Sequence, residues 1–433
     1  MLPELRAISL RRLGLSNAPK LSNDCFALPP GVHWTPVDEA LSNLRSRVTP
    51  VTGIEPVPTV AAGGRVLAAA ISPNRASPPY ANSAVDGYGF AHASLVEGEQ
   101  ALPLAEGRSA AGGPFDGVVP AGMALRILTG AMVPEGIDTI VLEEDVTIED
   151  GILKFGTGLK KGANVRPVGE DVTLEDQVLP AGRILQPQDL GLLAAVGVDT
   201  VSVHKPLRVA VLSTGDELRQ VGEEVAPHQI YDANRPMLLD LVRRWGMEPV
   251  DLGHVRDDAD MVKTMLSRGA AEADVILTSG GASAGDEDHI SAALQASGTL
   301  NLWRVAIKPG RPLALAMWEG APVFGLPGNP VAAFVTALVF ARPTLLELSG
   351  AGWAKPRPLV LPAAFSKNKK PGRREYLRAR MNPDGQAEVF KSEGSGRISG
   401  LSWADGLVEL EDEGRTISSG DPVKYYPFSE FGL

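Results

Sequence analysis

The chain is short of the residues that build disulfide or soft-metal proteins. Its 433 residues include one cysteine, Cys25, and six histidines, at positions 33, 92, 204, 228, 254 and 289. A single thiol excludes a disulfide framework and a protein-thiolate metal cluster. The histidines form no H-x-H or H-E-x-x-H pattern, which argues against a histidine-built zinc site. Any metal used here is expected to be a hard cation held by oxygen. Positive charge is also scarce: 41 Lys and Arg against 52 Asp and Glu leave −11, so nucleic acid is not an expected partner. Long apolar runs are missing. Val331 to Phe340 is ten residues long and meets Ala341-Arg342-Pro343, whereas a spanning helix needs about 20. No membrane is expected. The N-terminus lacks the apolar core and cleavage site of a secretory signal, which leaves the cytoplasm as the expected location.

What is present reads as a globular chain of two to four domains, with 44% apolar residues, 47 Gly and 35 Pro. Residues 1–34 read as a tail, and a short helix is expected over Asp38 to Arg47. Between Val57 and Val203, alternating runs such as Ala124 to Leu128 are punctuated by Gly and Pro. That texture favours β-structure, with one helix over Asp189 to Val196.

At Pro206 the texture changes. Strands at Leu207–Leu212, Pro249–Leu252 and Val275–Leu277 alternate with helices: a stripe from Met237 to Trp245, one from Asp257, and Asp286 to Leu294. Further strands near Trp303–Ile307, Leu313–Met317 and Val323–Gly325 precede a helix from Asn329 to Leu348. Such alternation predicts a mostly parallel sheet covered on both faces. After a Pro-containing linker ending near Pro358, the remainder reads as a small β-barrel or sheet.

Ligands of parallel α/β sheets bind outside the carboxyl ends of the strands. Three glycine-rich turns fall there: Ser213-Thr214-Gly215-Asp216-Glu217, Thr278-Ser279-Gly280-Gly281 through Asp286, and Gly325-Leu326-Pro327-Gly328-Asn329-Pro330. Glycine lets the backbone approach an anion, and a helix N-terminus adds donors. Each is also what an ordinary turn looks like, and none matches a Walker loop or a G-x-G-x-x-G fingerprint. Acids crowd the same edge: Asp216, Glu217, Asp232, Asp257, Asp258, Asp286 and Asp288. Mg²⁺ bridging carboxylate to phosphate would reconcile them with an anionic ligand; helix capping is the other reading for Asp257 and Asp286. Lys308-Pro309-Gly310-Arg311 sets two cations three residues apart, a spacing suited to a tetrahedral oxyanion. Lys367 to Arg380 carries seven cations against Glu375, either a second anion-binding element or a solvated strand face.

Taken in order, these segments and four others resemble one family, the molybdopterin molybdenumtransferases. The matching strings are Asn82-Ser83-Ala84-Val85-Asp86-Gly87-Tyr88, Thr129-Gly130-Ala131, Arg166…Gly169-Glu170-Asp171, Ser213 to Leu218, Tyr231-Asp232-Ala233-Asn234, Ser279-Gly280-Gly281, Lys308-Pro309-Gly310 and Gly325 to Pro330. They run from about Trp34 to the C-terminus.

The resemblance implies a multidomain α/β plus β chain. A discontinuous linker and dimerisation domain would take residues 35–58 and 164–204, and a β-rich domain 59–163. A molybdopterin-binding α/β domain would follow at 205–352, then a C-terminal β-barrel at 353–433. It implies insertion of molybdenum from molybdate into adenylylated molybdopterin, with Mg²⁺, giving molybdenum cofactor and AMP. Asp257, Asp288 and Glu217 are then the metal and catalytic acids. The loops at Ser213, Thr214, Gly215, Asp216, Asp232, Asn234, Ser279, Gly280, Gly281, Pro327, Gly328, Asn329 and Pro330 hold the pterin, phosphates and adenylate. Lys308, Arg311, Arg378 and Ser395 hold molybdate, whose oxygens give way to the substrate's own dithiolene sulfurs. Asp86, Thr129, Arg166 and Asp171 complete the cleft from the second subunit of a homodimer. Further implied partners are the molybdopterin adenylyltransferase and the recipient apo-molybdoenzymes or their chaperones.

Four positions depart from the family pattern. Ala81 stands where an acid is usual, Ala332 replaces a serine, Arg311 replaces a lysine, and Arg304 stands where a lysine is common. Competing readings are the preceding adenylylation of molybdopterin, a gephyrin-like scaffold, and a degenerate paralogue that binds cofactor without inserting metal.

Overall fold

The computed structural model describes residues 34–280, 289–296, 301–310 and 312–433. The chain divides into two compact units, one of residues up to Ile54 with His204–Leu433, the other Glu55–Val203.

In the first unit a six-stranded sheet runs in the order Glu248–Val255, Arg208–Thr214, Val275–Ser279, Ala321–Leu326, Pro312–Trp318, Asn301–Arg304. The first three ladders are parallel and the last two antiparallel. Val209 to Leu212 and Val275 to Leu277 are fully buried. Such strands are apolar without alternation because helices cover both faces. The register places Ser213 opposite Ser279, and Ser279 opposite Leu326. Three turns therefore leave the sheet side by side.

The helix after Glu248–Val255 begins at Ala259, not at Asp257. Its cap is Asp258, whose carboxylate accepts the amides of Asp260 and Met261 at 3.0 and 2.8 Å. The helix expected from Asn329 to Leu348 is present and extends well beyond its ten-residue apolar run. Pro330–Leu348 forms one 19-residue helix, apolar and long enough to span a membrane by length and composition, with 89% of its most apolar stretch buried inside the protein. Arg342-Pro343 does not end it, because a π turn over Ala337–Ala341 immediately precedes them. Here the helix is a core element.

The C-terminal sheet closes on itself. Arg374–Met381 pairs with Gly406–Leu410, which pairs with Pro422–Pro427, which pairs with Leu359–Pro362. A bridge from Ala363 to Ala387 then leads to Ala387–Val389, which returns to Arg374–Met381. Leu377, Ala379, Val408 and Tyr425 fill the interior. Ile307–Lys308 adds in parallel to the outer side of Arg374–Met381, setting Lys308 opposite Glu375.

Residues 35–54 belong to this first unit rather than with the following β-rich segment. The Thr35 amide donates to the Arg304 carbonyl at 2.9 Å and the Thr35 carbonyl accepts the Ala306 amide at 2.8 Å, and Arg374 grips both oxygens of Asp38 at 2.9 and 2.8 Å.

The second unit holds two kinds of core. Ala62, Leu67, Val172, Leu185, Leu193 and Val203 pack together, so chain on both sides of residues 80–165 shares one interior. Between them lies a six-stranded sheet in the order Thr139–Leu142, Gly87–Phe90, Ala124–Ile127, Gln100–Ser109, Ile152–Phe155, Val146–Glu149.

Candidate functional site

Two clusters take shape in the first unit. At the sheet edge, Ser213, Thr214, Asp232, Asn234 and Ser279 are buried. The Asn234 amide donates to Ser279 Oγ at 2.8 Å and to the Gly328 carbonyl at 2.6 Å, tying two of the three turns together. Gly280 makes the close approach possible. Its φ is +92°, and a Cβ there would lie 2.7 Å from the Thr214 carbonyl oxygen. Ser213 Oγ, Thr278 Oγ1 and Asn234 Oδ1 are buried with no hydrogen-bond partner among the described residues. Buried polar atoms are almost always paired, so three orphans at one edge define a place for a polar guest.

The acids at this edge divide by duty. Asp232 is committed to starting the Asn234–Arg244 helix, accepting the amides of Asn234 and Arg235 at 3.1 Å each. Asp216 meets Arg256 at 3.1 Å, and that hydrogen bond holds its carboxyl below the usual range. Because Asp258 does the capping, Asp257 is left without that task; its carboxylate accepts the Asp216 amide at 3.3 Å, and its own amide donates to Asp216 Oδ1 at 3.4 Å. Glu217 is exposed, with its carboxylate folded over the open face of Gly215. His254 donates from Nε2 to the Gly215 carbonyl at 2.6 Å. Among the described residues no three His, Cys, Asp or Glu side chains converge on a cation site. Two hard carboxylates nevertheless suit Mg²⁺ of the kind completed by substrate phosphate and water. Asp288, Gly281 and Arg311 lie outside the described residues.

The second cluster is a cavity of about 210 Å³ between the Lys308 turn and the C-terminal barrel. Lys308 and Lys367 face it, sharing two carboxylates. Lys308 Nζ is 2.6 Å from Glu393 and 3.6 Å from Glu375; Lys367 Nζ is 3.1 Å from Glu375 and pairs with the other oxygen of Glu393. Burial works against the charge on Lys367, but Glu393 and Glu375 outweigh it and hold its pKa above the usual value. Of the two readings of this basic segment, the solvated strand face does not hold for Lys369, Arg373 and Arg378, which are buried; Arg374–Met381 is a barrel strand whose outer side is paired with Ile307–Lys308.

Arg378 does not point a free fork at the cavity. Its guanidinium donates to the carbonyls of Arg397 at 2.6 Å, Gly394 at 3.2 Å and Ser392, and it stacks 5.1 Å from the Phe390 ring centre. It therefore fastens the loop that carries Glu393 and Ser395. A Cβ on Gly400 would lie 2.8 Å from that guanidinium, so glycine is required for the packing. The loop also reaches the first cluster: the Ser395 carbonyl accepts the Val331 amide at 3.0 Å, at the start of the Pro330–Leu348 helix. Lys308, Arg378, Ser395, Asn329 and Pro330 are thus brought to one neighbourhood. Pro327 and the methyl of Ala332 wall the open face of Gly310.

In the second unit Asp86 accepts the Thr129 amide at 2.7 Å and its hydroxyl at 2.8 Å. These bonds hold the Asp86 carboxyl below its usual range. Arg166 pairs through its backbone with Asn82, four residues before Asp86. Arg166 and Asp171 are exposed. Sequence reasoning passed over Thr278, Glu393 and the singular place of Lys367. The first was hidden by its neighbours in a turn already noted. The other two had no signal, since 59 and 85 residues separate them from Lys308.

Three family models match the chain in order. "MoeA N-terminal region (domain I and II)" covers residues 35–197, "Probable molybdopterin binding domain" 210–347, and "MoeA C-terminal region (domain IV)" 360–428. They define the class first: a multidomain chain built around an α/β domain of the molybdopterin-binding type. A Haemophilus influenzae protein named molybdopterin molybdenumtransferase is 37% identical over 91% of this chain and 98% of its own length. A Nostoc protein of the same name is 33% identical over 84% of this chain and 86% of its own. Among solved structures, a molybdopterin biosynthesis MoeA protein of Pyrococcus horikoshii aligns with TM-score 0.79 and 27% identity, over 91% of this chain and all of that one. The chain belongs to the molybdopterin molybdenumtransferase family.

Proposed function

We propose that the protein inserts molybdenum from molybdate into adenylylated molybdopterin, releasing AMP and molybdenum cofactor, with Mg²⁺ as the assisting cation. The observation that carries this reading is the Val331–Ser395 hydrogen bond, which joins the glycine-lined sheet edge to a lysine-lined cavity. The first suits a pterin with its phosphates: orphaned Ser213, Thr278 and Asn234 supply donors and acceptors, and Gly280 and Gly328 let the ligand approach the backbone. The second suits a tetrahedral oxyanion: Lys308 and Lys367 supply donors, while Arg378 supplies charge and holds the loop. Asp257 and Glu217, with Asp288, would hold Mg²⁺, which neutralises phosphoanhydride oxygens when bound. The sulfur ligands for molybdenum come with the substrate, which accords with a chain holding one cysteine.

Asp86 and Thr129 form a preorganised pair that we assign to the cleft of a second copy in a homodimer. The donors and recipients are the adenylylating enzyme upstream and apo-molybdoenzymes or their chaperones downstream, all in the cytoplasm. Molybdate-dependent AMP release by the purified protein with Mg²⁺, together with cofactor formation, tests the reading. Asp288→Asn should retain pterin binding and lose AMP release. Tight pterin binding by the wild type without turnover would instead establish a degenerate paralogue, a reading to which the apolar Ala332 wall contributes.

A further inference from the structure

The cavity beside Lys308 already contains an anion of its own. Glu393 spans the two ammonium groups, one carboxylate oxygen 2.6 Å from Lys308 Nζ and the other on Lys367 Nζ. A carboxylate bridging two cations is the arrangement a bidentate oxyanion would make. Glu375 touches the same lysines from behind, at 3.6 and 3.1 Å, but it is a different kind of group. It is 7% exposed, on a strand paired with Lys308 through the backbone. Glu393 is 44% exposed in its side chain and sits on a loop.

We propose that Glu393 is a resident counter-carboxylate which an incoming oxyanion must displace, so that this side chain sets both the affinity and the charge selectivity of the cavity. The proposal rests on the reading above only for the oxyanion's identity. Charge supports displacement rather than addition. Lys308, Lys367 and Arg378 against Glu393 in the cavity and Glu375 behind the lysines give +1, the exposed Lys391 at the rim aside. Swinging Glu393 out raises this to +2, which matches a dianion such as molybdate, tungstate or sulfate and leaves a monoanion overmatched. An oxyanion bound beside an unmoved Glu393 would meet a carboxylate at contact distance in a partly desolvated cavity, which is strongly unfavourable.

The motion required is confined to one side chain. Arg378 holds the loop on both sides of Glu393, through the Ser392, Gly394 and Arg397 carbonyls, and Val331 holds Ser395. The backbone therefore stays in place while the carboxylate leaves, and Ser395 keeps its position. Occupancy of the cradle by Glu393 acts as a tax on apparent affinity: if the open arrangement is populated at about one part in ten or less, binding is weakened by about tenfold or more.

The test is calorimetric titration of the full-length protein with sodium molybdate, in the wild type, Glu393→Gln and Lys308→Ala. Gln keeps the shape and removes the charge, so Glu393→Gln should bind molybdate about tenfold more tightly, and should lose discrimination against a monoanionic competitor such as nitrate. Thermal melts of the two proteins establish that the variant is folded. Wild-type binding that depends on Lys308, combined with equal or weaker binding by Glu393→Gln, overturns the displacement role and leaves the cradle standing. Molybdate heat in neither wild type nor Glu393→Gln overturns the cradle itself, and the displacement with it.

Discussion

The sheet edge and the lysine cavity lie in the same unit yet are prepared for their guests in opposite ways. At the edge, hydrogen-bonding atoms are buried and uncommitted: Ser213 Oγ, Thr278 Oγ1 and Asn234 Oδ1 wait without partners. In the cavity Lys308, Lys367, Glu393 and Arg378 each already have an opposite charge or a carbonyl in contact. A large neutral ring system gains from donors that cost nothing to release. A small dianion can be bound tightly and non-selectively unless something competes with it. The difference shows two routes to selectivity, one by shape around vacant dipoles and one by competition among charges.

The sharpest way to break this contrast is Lys308→Ala. It removes a donor from the cavity while leaving Glu375 the company of Lys367, so molybdate-dependent AMP release should fall by about 10²-fold or more. Pterin binding and the thermal midpoint should change little. Equal loss of pterin binding would mean that the two regions are one site rather than two.

Gly280→Ala strikes the other side. The added methyl would meet the Thr214 carbonyl at 2.7 Å in a backbone conformation of φ +92°. A cost of about 1–3 kcal/mol in stability is expected, with pterin binding lost and oxyanion binding retained, both measurable by titration on the folded fraction.

A pair of neighbouring acids provides a smaller and cleaner comparison. Asp258→Ala should cost about 1 kcal/mol of stability, because it removes a helix cap, and should leave turnover almost intact. Asp257→Asn should leave the melt unchanged and reduce Mg²⁺-dependent turnover. Reversal of these two outcomes would return Asp257 to an architectural role.

The smallest effect concerns acid. Burial alone would raise the Glu393 carboxyl, but Lys308 and Lys367 hold it below its ordinary 4.5. A depressed folded value means that its ion pairs stabilise the protein above the unfolded carboxyl value and are lost as pH falls through the folded one. Glu393 is partly exposed, so screening limits this to about 1 kcal/mol or less. Comparing melts of wild type and Glu393→Gln from pH 7 down to about 4 should show the wild type losing its relative advantage toward the acid end.

What was legible in the sequence was local. A strand ending in Ser-Gly-Gly or Ser-Thr-Gly-Asp announces its own turn, so the three loops and their shared sheet end could be read directly. Capping could not be placed to the residue, because it depends on backbone angles that Asp257 and Asp258 do not advertise; the observed cap is one residue later than expected. The helix from Asn329 to Leu348 was legible from its apolar residues, and the fold has it at Pro330–Leu348; the π turn that precedes Arg342-Pro343 was not, although proline breaks an ordinary helix. The pairing of Lys308 with Glu375, and hence with Lys367 and Glu393, rests on a two-residue parallel ladder. No periodicity in either segment carries that information.

The π turn at Ala337–Ala341 also sets an angular phase. A π turn holds one residue more than an α turn would, and one residue of an α-helix is about 100° of rotation. Ahead of it lie Val331, which anchors the Ser395 loop, and Ala332, which walls the Lys308 turn; behind it Leu348 accepts the Val51 amide. The extra residue therefore works like the offset between two cams on a shaft. Deleting Ala337 would leave both halves helical and apolar, yet turn the half that bears the site away from the loop it holds.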